Sequence, residues 1–264
     1  MSRRISLWLA ACCSFVLLLA GATTASAAEQ YVALGDSYSS GTGTRTYYDS
    51  GCQRSNYAYS KIIDVERANT VVNMTACSGA RTGDVLNNQL GPLTSTTRWA
   101  TITIGGNDAG FSSVITECAK PGWASNCDGA INNAQSYINN TLKGRLNLVY
   151  NAIKSRAPNA TVIVLGYPRL FMGVDCNGGT WFSSSEMTRL NQTADLLRTR
   201  TAEQVATEGT RFVFKDAIPP FIGHAVCSSS EWLNGLSWPV GESYHPNRNG
   251  HRYGYVPLVR AVMG

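Results

Sequence analysis

Five short apolar runs, separated by helix-like sequence, limit what this chain can fold into more than any other feature. The runs are Tyr31–Leu34, Val71–Thr75, Thr101–Ile104, Thr161–Leu165 and Arg211–Phe214. They are rich in Val and Ile and lack a clean polar–apolar alternation, which suits strands covered on both faces. Helical signals cover Tyr57–Arg67, Asn132–Ser155 with Pro158 beyond it, and Ser184–Glu208 with Gly209 after it. A last helix is expected near Asn249, where Pro246 and Asn249 read as start signals. Ser183 or Ser184, followed by Glu186 or Met187, marks a helix entrance without a clean capping box. Strands alternating with helices predict an α/β fold, a parallel sheet with helices on both faces. Such sheets place ligands beyond the carboxyl ends of their strands, where the strand order reverses. Each strand end is therefore a place to look for chemistry.

The N-terminus sets the compartment. Arg3 and Arg4 precede an almost wholly apolar stretch, Ile5 to Leu19, and Ala25-Ser26-Ala27 is a small-residue cleavage signal. That is the layout of a secretory signal peptide over residues 1–27, leaving a single domain over 28–264. Cys12 and Cys13 depart with the leader, and six cysteines remain: Cys52, Cys77, Cys118, Cys127, Cys176 and Cys227. An even number in an exported chain implies disulfides; six allow about fifteen pairings, of which sequence neighbours are the simplest. No C-x-x-C pair or adjacent histidine supports a zinc site. The formal charge of +5 falls to about +3 without the leader, too mild to call for nucleic acid. No stable protein partner is implied, and the chain is expected to act as a monomer.

Three strand ends carry groups that suit one reaction. After the first run comes Gly35-Asp36-Ser37, after the second Ser78-Gly79-Ala80-Arg81, and after the third Gly105-Gly106-Asn107-Asp108. Together they offer a hydroxyl nucleophile, a glycine N–H and an asparagine amide able to hold an oxyanion. A serine needs a base, and only three histidines are present: His224, His245 and His251. His224 lies beside a cysteine in a loop, and His251 reads as a helix-surface residue. His245, in "GESYHPNRNG", has Glu242 three residues before it and Pro246 behind it. It is the leading candidate.

In order, Gly35-Asp36-Ser37, Gly79, Gly105-Gly106-Asn107-Asp108 and His245 resemble the four blocks of the SGNH hydrolases, also called GDSL esterases and lipases. The phrases "ALGDSYSSG", "CSGARTGDVL", "TIGGNDAGF" and "SYHPNRNGH" are similar to the secreted bacterial lipase branch with three disulfides. The resemblance implies a flavodoxin-like three-layer α/β/α sandwich with a five-stranded parallel sheet, and no metal or other cofactor. It implies Ser37 as nucleophile, His245 as base, and Ser37 N–H, Gly79 N–H and Asn107 as the oxyanion hole. It also implies the disulfides Cys52–Cys77, Cys118–Cys127 and Cys176–Cys227. One position departs from the pattern. The family's usual acid is an Asp three residues before the histidine, and here that residue is Glu242. Either its carboxylate or a backbone carbonyl, that of Glu242 or Ser243, is then expected to orient His245.

The expected activity is hydrolysis of lipid esters through an acyl-serine. An acetyl xylan esterase is the alternative within enzymes, and a non-catalytic ligand-binding protein the alternative outside them. Tyr38, Tyr47, Tyr48, Phe111, Phe171, Trp181 and Phe182 are candidates for an apolar acyl groove.

Overall fold

The structure, a computed structural model, describes residues 27–264; the expected leader falls outside the described residues except for its last residue. In chain order the elements are β1 (Glu29–Gly35), α1 (Ser37–Ser40), α2 (Tyr59–Glu66), β2 (Thr70–Met74), α3 (Thr82–Asp84), β3 (Thr97–Thr103) and α4 (Phe111–Cys118). They continue as α5 (Cys127–Asn140), α6 (Leu142–Arg156), β4 (Thr161–Leu165), α7 (Ser184–Ala206), β5 (Phe212–Lys215) and α8 (Val256–Met263). The five strands are the five expected, each end within a few residues of its apolar run. All pair in parallel, in the order β2-β1-β3-β4-β5. This is the flavodoxin-like order, whose reversal lies between β1 and β3.

Side-chain alternation along each strand builds two cores. Tyr31, Ala33, Ile163 and Leu165 face one layer with Ile63 of α2 and Val259 of α8. Val32, Leu34, Ala100, Ile102, Val162 and Val164 face the other with Leu146 and Ile153 of α6. The central strands are thus covered on both sides, as their unbroken apolar character requires. The edge strand β2 is not: Val71 is half exposed, and burial alternates along the strand. Val72 and Met74 pack on one core, while the face carrying Val71 and Asn73 is left uncovered and reaches water.

The helix expected over Asn132–Ser155 is two helices. Thr141, at φ −125° and ψ −38°, separates α5 from α6. Asn139 and Asn140 are weak helix formers just before the break. Leu142 beyond it is fully buried, and a Cβ on Gly105 would lie 2.9 Å from its Cδ1. Burying Leu142 against the β3 turn redirects the chain. Helix α7 enters through a full capping box, the Ser183 and Glu186 side chains each bonding the other's backbone N–H. No helix among the described residues is long and apolar enough to cross a membrane.

Three disulfides join Cys52 to Cys77, Cys118 to Cys127 and Cys176 to Cys227. Their sequence separations are 25, 9 and 51. Closing the longest loop removes the most entropy from the unfolded chain, about 4 kcal/mol against about 2.7 kcal/mol for the shortest. The Cys176→Ser/Cys227→Ser pair is therefore expected to lower the unfolding free energy more than Cys118→Ser/Cys127→Ser. Denaturant unfolding of the two pairs checks this, and the reverse order contradicts it.

Candidate active site

The site begins where β1 ends. Gly35 has φ +121°, and a Cβ there would meet the Thr103 carbonyl oxygen at 2.4 Å, so only glycine fits. The Gln89 amide clamps this turn, accepting from Gly35 N–H at 2.7 Å and donating to its carbonyl at 2.8 Å. Asp36 then caps α1 by accepting from Tyr38 N–H at 3.0 Å. Ser37 follows, nearly buried, with its Oγ 2.8 Å from Nε2 of His245.

His245 comes from the other end of the chain and is held by its neighbours. Asn234 N–H donates to the His245 carbonyl and Tyr244 N–H to the Asn234 carbonyl, both at 2.9 Å. The Tyr38 hydroxyl donates to the Tyr244 carbonyl at 2.6 Å, tying the serine loop to the histidine loop. Nδ1 of His245 lies 2.8 Å from the Ser243 carbonyl oxygen. A carbonyl can only accept, so Nδ1 carries the proton and Nε2 turns its lone pair to Ser37. Burial pushes the His245 pKa down to about 4, against the upward pull of the Ser243 and Glu242 carbonyls. The imidazole is thus neutral at pH 7 and ready to accept a proton. Because burial disfavours the imidazolium, the acid limb of a kcat/KM–pH profile should fall below pH 6, under the usual histidine value of about 6.5. A limb at or above 6.5 on a soluble ester contradicts this.

The Glu242 carboxylate does not reach the imidazole. It is buried, accepts from the Tyr47 hydroxyl at 2.7 Å, and lies 3.9 Å from Arg45 Nε. The tight turn Val240–Glu242 followed by extended Ser243 puts the Ser243 carbonyl, not the Glu242 side chain, beneath Nδ1. Glu242→Gln keeps the bond to Tyr47 and removes only a nearby charge. It should therefore cost no more than about tenfold in kcat/KM, near 1.4 kcal/mol. A loss matching that of His245→Ala would reassign the orienting role to the carboxylate.

The other strand ends converge on the same place. Gly79 has φ +81° and stands beside the Cys52–Cys77 bridge. Asn107 donates one amide hydrogen to the Ala80 carbonyl at 3.0 Å, which fixes the orientation of its Nδ2. Asp108 accepts from the Thr82 hydroxyl at 2.5 Å and from its N–H, joining the turns after β2 and β3. Ser37, Gly79, Asn107 and His245 line one cleft of about 1300 Å³, its open mouth included. Phe111, Ile115, Ala119, Leu236 and Val240 supply apolar lining.

Several sequence expectations move. Of the acyl-groove candidates, Tyr38 and Phe111 line the cleft. Phe171 and Phe182 are core residues, Tyr47 holds Glu242, and Tyr48 and Trp181 face solvent. His251 is not on a helix surface: it is fully buried against Tyr59 and Tyr255, and burial drives its pKa down to about 3. His224 lies flat on Trp232 at 3.7 Å, a packing role.

Tyr167, just past β4, has a place that sequence reasoning missed. Its hydroxyl donates to the Asp36 carboxylate and accepts from Gly106 N–H at 3.1 Å, so it braces the serine turn against the Asn107 turn. Burial lifts the Asp36 pKa to about 7 despite that hydrogen bond. Extending the inspection of strand ends to the fourth strand would have found this tyrosine.

The model of the GDSL-like lipase/acylhydrolase family matches residues 33–253. The chain is similar to Lipase 1 of Streptomyces coelicolor, 45% identical over 253 residues that cover 92% of each. Its fold matches the crystal structure of an extracellular lipase from Streptomyces rimosus, with TM-score 0.82 and 45% identity, covering 89% of this chain and 99% of that one. It also matches a phospholipase A1 from Streptomyces albidoflavus, with TM-score 0.81, 41% identity and the same coverage. With the four sequence blocks meeting in one cleft, the chain belongs to the GDSL-like lipase/acylhydrolase family and is a carboxylic ester hydrolase.

Proposed function

We propose that this chain is a secreted serine lipase that hydrolyses acylglycerol or phospholipid esters, made with a leader over residues 1–27 and acting as a monomer over 28–264. The observation that carries the mechanism is the relay from the Ser243 carbonyl through His245 to Ser37 on the cleft floor. Nε2 of His245 takes the Ser37 proton as Oγ attacks the ester carbonyl carbon. The oxyanion is received by Ser37 N–H, Gly79 N–H and the Asn107 amide. Collapse of the intermediate expels the alkoxide, which takes the proton back from His245 and leaves acyl-Ser37. Water, deprotonated by His245, then attacks the acyl carbon, and the acid leaves as the imidazolium returns that proton to Ser37 Oγ.

The apolar walls of the cleft and the lipase and phospholipase relatives support a lipid acyl group over acetylated carbohydrate. A panel of triacylglycerols, phosphatidylcholine, p-nitrophenyl esters of rising acyl length and acetylated xylan tests this. Lipid esters should be cleaved with kcat/KM rising beyond acetate. Turnover confined to acetylated xylan, or none on any ester, contradicts the reading.

A further inference from the structure

We infer that Trp123, Trp181 and Trp238 form a rim that seats the mouth of the cleft on a lipid surface, an inference that rests on the lipase reading above. The described residues include five tryptophans, which fall into two groups. Trp99 is buried and donates its indole N–H to Glu29 at 2.7 Å, and Trp232 is stacked on His224. The other three are 90%, 55% and 84% exposed. Holding so large an apolar side chain in water is unfavourable.

All three adjoin the cleft in sequence. Trp123 follows closely on Ala119, the last cleft-lining residue of the α4 wall. Trp181 is next to Thr180, which lines the cleft from the loop before α7. Trp238 lies between Leu236 and Val240, which also line the cleft. Three separate segments that contribute cleft-lining residues thus each carry an exposed indole close by in sequence. Tryptophan suits the boundary between water and acyl chains, with an apolar body and a polar N–H.

The neighbours favour a lipid over a sugar. Leu236 and Val240 flank Trp238 and are themselves partly exposed, and exposed Met172 and Val174 belong to the loop that carries Trp181. A sugar-stacking platform would set polar side chains around each ring. Around Trp238 the side chains are aliphatic, and the segment from Leu236 to Gly241 holds no charge. Glu242 follows that segment directly, and the Arg45 side chain beside it is 62% exposed, a cation available to lipid phosphates. Seated this way, the cleft opens directly into acyl chains, and the ester need not cross water.

The test separates docking from chemistry. On a Ser37→Ala background, which leaves the vesicles intact, sedimentation with phosphatidylcholine vesicles measures partitioning. Adding Trp123→Ala and Trp238→Ala should weaken it by about tenfold or more. The same pair with Ser37 intact should hydrolyse a soluble p-nitrophenyl ester within about twofold of the parent. Unchanged partitioning overturns the proposal, and so does retardation on acetylated xylan that the pair abolishes while vesicle binding persists. If the pair also loses soluble activity, the single Trp123→Ala variant decides, weakened partitioning at parental soluble activity upholding docking and unchanged partitioning overturning it. Vesicle binding that needs the tryptophans in a chain that cleaves no ester would leave docking standing and remove the lipase reading.

Discussion

Ser37→Ala is expected to lower kcat for a soluble ester by about 10⁵–10⁶-fold, the scale on which a serine hydrolase loses its nucleophile. The geometry gives the reason. Ser37 Oγ is the hydroxyl 2.8 Å from the acceptor nitrogen of a neutral imidazole, and it shares a cleft with the Asn107 amide. Without it, water has to be activated and placed by the remaining groups, and only the oxyanion donors and substrate binding still assist. Folding should be little affected. The lost hydroxyl made one hydrogen bond, worth about 1 kcal/mol. Unfolding midpoints and single-turnover rates measured together check both halves, and a variant within about a hundredfold of the parent would remove Ser37 from the role.

His245→Ala should be nearly as damaging, again about 10⁵-fold or more, because an unassisted serine hydroxyl stays protonated at neutral pH. The two losses should not add. Nucleophile and base act as one unit, so Ser37→Ala/His245→Ala should be no slower than the worse single variant. The histidine loop should keep its shape, since Asn234 pairs with the backbone of residues 244 and 245 and Tyr38 bonds the Tyr244 carbonyl. Losses that multiplied in the double variant would mean that the two residues act independently.

The strands and three of the strand ends were legible because they depend on local composition. Short Val- and Ile-rich runs bounded by turn residues favour strands through their own side chains, and Gly35, Gly79 and Gly105 announce turns at positive φ. The four blocks also placed Ser37, Gly79, Asn107 and His245 together before any geometry was known. The rest depended on contacts between distant segments. Helix α4 opens after Gly110 in left-handed conformation with two serines in its first turn, and no capping signal marks it. The burial of His251 is decided by Tyr59, 192 residues away, whose N–H donates to its Nδ1. The Glu242 question turned on backbone direction: a tight turn followed by one extended residue brings up a carbonyl, which spacing alone does not reveal.

The central claim is that Ser37 is acylated, and covalent capture tests it most directly. Stoichiometric diethyl p-nitrophenyl phosphate, followed by tryptic mapping, should place a single diethylphosphoryl group on Ser37. The adduct should appear with release of p-nitrophenol, and both should vanish in Ser37→Ala. Loss of activity with the label on any other residue, or equal labelling of Ser37→Ala, contradicts the mechanism.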